Sequence, residues 1–208
     1  MGIGKHEEFL AVTRPTFERY AALHGYELRV PEADPAPDRS HKQWAKVAFI
    51  NQLLPTCDFL LWIDCDAAII DCSTDIADAL PRRRFLGIVE HRYAGQRIPN
   101  TGVMAVRSGR SARRFFGEMW NHTQYLETRW HDNAAALEML GYEFETETEP
   151  VYCQPGNPTR WLRRTHFLGN EWNSLPHDPA LTPRIVHVTG AFPFEERMQR
   201  LCGALLAT

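Results

Sequence analysis

Apolar positions recur at helical spacing over residues 5–24, where Leu10, Phe17 and the pair Tyr20-Ala21 share one face. Gly25 stands where such a helix would stop. Residues 26–30 then read as a short strand, residues 31–40 as a Pro- and Asp-rich loop, and residues 42–54 as a second helix. Residues 59–63 form an unbroken apolar run of strand length, introduced by the turn residue Asp58. Two further strands are expected over residues 85–90 and 103–107. Ser111 is placed to cap a helix that buries Ala112, Phe115, Phe116 and Met119, and residues 132–140 form another helix closed by Gly141. The last third is Pro-rich and irregular until a short final strand over residues 185–188. Strands alternating with helices imply an α/β protein: a mostly parallel sheet flanked by helices, in one domain spanning residues 1–208. Sheets of this kind open with a buried strand, whereas here a helix comes almost first. The expectation is that the first strand is missing, or that Met1 to Gly4 is its remnant.

The run at 59–63 ends in Asp64-Cys65-Asp66. Alternate side chains of an extended backbone project to the same side, so both carboxylates can converge just past a strand end, where open α/β sheets bind ligands. Two carboxylates held together repel unless a positive group sits between them, and a hard divalent cation is the usual answer. Taken alone the pair is ambiguous. An apolar strand followed by Asp-x-Asp also opens the haloacid-dehalogenase-like phosphatases, in which Asp64 would be a nucleophile used with Mg²⁺. There the pattern continues with Thr or Val two places after the second Asp, whereas Ala67-Ala68-Ile69 follows here. A plain strand-end turn is the third reading.

Composition narrows the class. The chain of 208 residues has 44% hydrophobic and 24% charged residues and a formal net charge of −3, as expected of one globular core. No basic stripe marks a nucleic-acid partner; the stretches 81–84 and 160–164 suggest local anion contacts at most. No apolar run reaches the length of a membrane span, and no signal-peptide core is seen at the N-terminus. Five cysteines without zinc-type spacing point to a reducing, cytoplasmic setting, with Cys65 packed into the sheet.

Four blocks flank the carboxylates: Lys42-Gln43-Trp44-Ala45-Lys46, Asn100-Thr101-Gly102-Val103-Met104, His131-Asp132-Asn133-Ala134, and Ile185-Val186-His187-Val188-Thr189-Gly190. In this order they resemble the retaining glycosyltransferases that include plant xyloglucan xylosyltransferases and yeast α-galactosyl- and α-mannosyltransferases. The resemblance runs from about Lys5 to Phe194. It implies a GT-A (Rossmann-like) fold that takes a sugar from a nucleoside diphosphate, with UDP-hexose the first expectation, and passes it to a hydroxyl of a sugar or small-molecule acceptor. Mn²⁺ (or Mg²⁺) would be held by Asp64, Asp66 and His187. Lys46, Asp64, Asn100, Gly102 and Gly190 would bind the donor, and Asp132 and Asn133 would stand beside the transferred sugar as catalytic residues. His131 and Trp172, with Asn173, would line the acceptor site. The family's usual Asp-Asp-Gln reads His131-Asp132-Asn133 here, so the sugar pocket differs, and the eukaryotic members' membrane anchor is not seen in this chain.

Each residue also has a bland reading. His187 can be a hydrogen-bonded core histidine, Lys46 a solvated helix lysine, and Asn100-Thr101-Gly102 a turn feeding a strand. Asp132 can be a first-turn carboxylate favoured by the helix dipole, and Trp172 core filler. His6, His24 and His41 read as surface residues. Besides the phosphatase, a truncated, non-catalytic transferase homologue is the other rival.

Overall fold

The computed structural model describes residues 6–39, 42–147, 151–189 and 192–207. Helix α1 spans His6–His24 and ends at Gly25, whose φ of +72° is a conformation that glycine adopts without strain. Helix α2 (Gln43–Leu53) leads into β1 (Phe59–Ile63), and β2 (Ala67–Ile69) follows directly. After the short α3 (Ile76–Ala79) come β3 (Leu86–Tyr93) and β4 (Gln96–Arg107), a long hairpin. Its two-residue tip is Ala94-Gly95, both at positive φ, which suits the right-handed twist of the paired strands. Helices α4 (Arg110–Trp120) and α5 (His131–Leu140), strands β5 (Tyr142–Glu145), β6 (Tyr152–Pro155), β7 (Thr165–Leu168) and β8 (Ile185–His187), and helix α6 (Phe194–Leu206) complete the order.

The main sheet has the order β1-β4-β3-β7. Strands β1, β3 and β7 run in one direction, as the alternating pattern predicts. β4 lies between β1 and β3, antiparallel to both, so β3–β7 is the parallel ladder among the described strands. Helices α2, α4 and α5 cover one face with a core that includes Trp44, Ile50, Phe115, Phe116 and Leu137. The predicted α4 face, Ala112, Phe115, Phe116 and Met119, is buried as the spacing requires. The other face packs against α1 and the β2–β8 ladder through Phe17, Tyr20, Ile69, Val89 and Ile185.

Several local expectations change. Residues 26–30 form no strand and carry no ladder. The predicted strand 103–107 begins seven residues earlier, so Asn100-Thr101-Gly102 lies inside β4 and is not a turn. Ser111 does not cap α4: Gly109 holds that place, and the Ser111 hydroxyl accepts from Arg164 instead. The irregular last third contains β6, β7 and α6, which the sequence pattern did not announce. Met1 to Gly4 lies outside the described residues, as does His41.

Candidate active site

The site forms where β1 ends. The Asp64 amide still bonds to β4, donating to the Gly102 carbonyl at 2.8 Å, and the chain then turns tightly through Ala67 N–H to Asp64 O at 3.1 Å. That turn carries Asp66 into β2, whose antiparallel partner β8 sets His187 opposite Ala67. One oxygen or nitrogen from each of Asp64, Asp66 and His187 falls within 4.8 Å of the others. Residues 121 positions apart in sequence thus converge through a three-residue ladder.

The His187 tautomer is fixed by a relay across the sheet. The Gly102 amide donates to Asn100 Oδ1 at 2.9 Å, and the Asn173 amide nitrogen donates to the same oxygen at 2.9 Å. Asn173 therefore turns its own Oδ1 to His187 Nδ1, at 2.9 Å, and must accept a proton there. This leaves Nε2 facing Asp66 Oδ1 at 3.4 Å, and whenever the ring is neutral it does so with a lone pair. A lone pair against a carboxylate oxygen is unfavourable until a proton or a cation comes between them. Asn173 was expected beside the acceptor; it is fully buried and acts through His187.

Charges in the site do not balance. Asp66 is ion-paired to Arg197 of α6, which also donates to the Val188 carbonyl at 2.8 Å. Burial would raise the Asp66 pKa, but a proton on His187 and the Arg197 guanidinium outweigh it and hold the carboxyl well below the usual range. Lys46 projects from α2 into the floor of the site, 3.2 Å from Asp64 Oδ2 and 3.0 Å from Asp132 Oδ2, with Thr101 O and Oγ1 both at 3.3 Å. Burial would lower the Lys46 pKa; Asp132 and Asp64 reverse that and keep it cationic. With a neutral His187, three carboxylates against two cations leave one negative charge beside the Nε2 lone pair.

The remaining candidates divide. Thr101 Oγ1 donates to Asp132 Oδ2 at 2.9 Å, and Asn133 bridges the Thr101 amide (2.9 Å) to the Pro99 carbonyl (3.1 Å). Both α5 residues are thus turned to protein partners and brace β4 against α5. Lys46 is likewise engaged by four oxygens and serves as the link between Asp64 and Asp132. His131 bonds through Nδ1 to the Leu126 carbonyl at 3.1 Å, away from this cluster. Trp172 is 3% exposed among the core side chains of α1, β3 and β8, so its ring is core filler and offers no face for a sugar to stack on. Gly190 lies outside the described residues.

The sequence model of the galactosyl transferase GMA12/MNN10 family matches residues 5–86, the stretch that carries Lys46, Asp64 and Asp66. That part of the chain is similar to this family, and the chain as a whole has the fold of GT-A glycosyltransferases. The chain is similar in fold to the crystal structure of a glycosyltransferase involved in the glycosylation of the major capsid of PBCV-1. The TM-score is 0.63 at 16% identity, with 94% of this chain and 92% of that chain covered. It is also similar to the galactosyltransferase LgtC in complex with donor and acceptor sugar analogs, with TM-score 0.48 and 14% identity over 89% of this chain and 73% of that one. No curated protein matches it.

Two further features of the chain carry expectations. Gly102 sits against the His187 ring: a Cβ there would stand 2.1 Å from Cε1, 2.6 Å from Nδ1 and 2.8 Å from Asn100 Oδ1. Gly102→Ala must therefore displace the ring and break the relay, and cation binding followed by calorimetry should weaken by about 10–100-fold. His91, at the outer part of β3, is 1% exposed, with Nδ1 2.9 Å from Asp178. Burial pushes its imidazole down to about 4, against the opposing pull of Asp178. The unfolded chain then binds a proton near pH 6.5 that the folded chain refuses until about 4. Stability present above pH 6.5 is lost as pH falls through this window, by an amount on the order of 3 kcal/mol. Urea unfolding from pH 7 to 4 should show a shallower pH slope for His91→Gln; parallel slopes would refute the assignment.

Asn173, Arg197 and Thr101 are the residues whose roles the sequence did not announce. Arg197 had no signal, because its partner is 131 positions away. The two arginine-rich stretches meet around Arg107 and the start of α4, at the end of the sheet away from this site.

Proposed function

We propose that the chain moves a sugar from a nucleoside diphosphate, with UDP-hexose the first candidate, to a hydroxyl acceptor, using a divalent cation held by Asp64, Asp66 and His187. The observation that carries this reading is the His187 Nε2 lone pair directed at Asp66 Oδ1 within a site that keeps one excess negative charge. One nitrogen with two carboxylates suits Mn²⁺ better than Mg²⁺. Bound there, the cation supplies Lewis-acid stabilisation of the leaving diphosphate.

The protein groups then have distinct tasks. Asn173 holds the His187 ring with Nε2 toward the cation site, and Arg197 fixes Asp66. Lys46 offsets the charge of Asp64 and Asp132, so that Asp64 can approach Asp66. Asp132 is enclosed and tied to Lys46 and Thr101, and this favours a positioning role over a nucleophilic one. Without a carboxylate nucleophile, attack from the face that the leaving group departs, with a phosphate oxygen taking the acceptor proton, supports retention of configuration. The phosphatase reading is weaker: it needs Asp64 free to attack, yet Asp64 accepts from Trp62 Nε1 at 2.7 Å and from Lys46.

The test is nucleoside diphosphate release from a panel of UDP- and GDP-sugars, with Mn²⁺ and with EDTA. Release from one donor, abolished by EDTA, is the expected result. Silence across the panel, together with no Mn²⁺-dependent UDP or GDP binding by calorimetry, would leave a non-catalytic homologue.

A further inference from the structure

Six arginines converge at the end of the sheet opposite the cation site. β3 and β7 begin at that end, and β4 finishes there. Arg107 N–H donates to the Phe85 carbonyl at 2.8 Å, and Phe85 N–H donates to the Arg164 carbonyl at 3.1 Å. Strand register therefore gathers Arg84, Arg107 and Arg164, which no sequence spacing connects. Arg82, Arg83 and Arg110, the first residue of α4, complete a cavity of about 340 Å³. Arg107 pairs with Phe59 at the start of β1, so about 16 Å of extended strand separates this cavity from Asp64.

The charge in the cavity is not answered by the protein. No aspartate or glutamate lines it, and among the described residues none of the six arginines is ion-paired. Yet acidic residues outnumber Lys and Arg in this chain, 26 to 23. Three of the guanidinium groups are also held in place. Arg84 Nη1 donates to the Arg163 carbonyl, Arg164 Nη1 to Ser111 Oγ, and Arg107 Nη2 to the Leu80 carbonyl at 3.1 Å. Fixed in this way, Arg107 keeps its Nε buried and without a partner. A buried donor left unmade is costly, and here the protein supplies no acceptor for it. Backbone donors lie in the same wall. No side chain caps α4, and Arg113 N–H returns to the Gly109 carbonyl at 3.1 Å. The N–H groups of residues 110–112, ahead of it, have no carbonyl one turn back in the helix, at the positive end of its dipole.

We infer that this cavity binds a compact anion carrying two or more phosphoryl groups, at a site separate from the cation site. Guanidinium forks and helix N–H groups both match phosphate oxygens, and six cations call for a multiply charged ligand. A nucleic-acid strand fits less well, because the positive charge is confined to one cavity and does not continue as a stripe. A soluble polyphosphate and a phosphorylated lipid headgroup share the required chemistry. Gathered like charges repel, so occupancy should also raise the stability of the fold. The inference stands independently of the proposed sugar transfer.

The test is calorimetry with tripolyphosphate in EDTA, so that no cation loads the other site. The parent is compared with Arg82→Gln/Arg83→Gln/Arg110→Gln, whose side chains are exposed, and with Arg14→Gln/Arg19→Gln/Arg29→Gln, an equal loss of exposed charge elsewhere. Parent and control should bind one tripolyphosphate with equal affinity and gain Tm on binding. The cavity variant should bind about 10–100-fold more weakly. No saturable binding by the parent, or equal weakening in both variants, would overturn the inference. A second arm follows flotation with phosphatidylcholine vesicles, with and without phosphatidylinositol bisphosphate. Flotation that needs this lipid and the three arginines, and that tripolyphosphate displaces, assigns the site to a headgroup. Tripolyphosphate binding without flotation assigns it to a soluble ligand. Tighter binding of a poly-glutamate peptide than of tripolyphosphate would overturn the phosphoryl assignment in favour of an acidic protein segment.

Discussion

Asp66→Asn is expected to lower cation-dependent nucleoside diphosphate release by about 10²–10³-fold, since a coordinated cation supplies several kcal/mol to a departing diphosphate. The amide keeps the shape of the carboxylate but removes its charge, at the one group shared by His187 and Arg197. The comparison that gives the result meaning is Arg197→Met. Arg197 touches Asp66 and the Val188 carbonyl and stands behind the cation site, so its loss should weaken cation affinity while leaving the rate at saturating cation closer to that of the parent. Release by Asp66→Asn at the parental rate and with the same Mn²⁺ dependence would remove Asp66 from the ligand set.

Lys46→Met should carry the largest cost in stability. The residue is 6% exposed, and its ammonium is the counter-charge to both Asp64 and Asp132. Removing one partner of a buried ion pair leaves an uncompensated charge, at a cost of about 3–5 kcal/mol. The Asp132→Asn change added to Lys46→Met should recover part of that loss, because Asp132 is the more enclosed of the two carboxylates. Urea unfolding of the two single variants, the double variant and the parent gives the coupling directly. Additive losses would show that Lys46 is held by its packing within α2 and not by the carboxylates.

How legible this was in the sequence depended on the range of the interaction. Asp64 and Asp66 announced themselves because a strand of period two and a two-residue spacing are local facts. The α4 core face was equally local. His187 could be named only through resemblance, since no spacing rule reaches across 121 residues; the β2–β8 ladder that delivers it is three residues long. Trp172 misled because an aromatic beside a Pro-rich loop looks like a binding platform, while its burial is decided by α1 and β8, far away in sequence. Asn100-Thr101-Gly102 has turn composition yet lies within β4. There Gly102 gives room to the His187 ring, and Asn100 uses its amide oxygen to gather two donors. In residues 26–30 the composition suits a ladder, yet none forms there.

The proposed cation ligands and their supports are drawn from stretches far apart in sequence, with 131 positions between Asp66 and Arg197, and this has a consequence for synthesis. A growing chain can pair β1, β4 and β3 once about residue 107 has emerged, since those contacts are its own. His187 and Arg197 arrive only once β8 and then α6 leave the ribosome. Chains stalled before residue 187 should therefore hold a formed hairpin and sheet yet show no Mn²⁺-dependent binding of nucleoside diphosphate. Competence is acquired only once β8 and α6 have emerged, so a product terminated before residue 187 should not compete for the sugar donor.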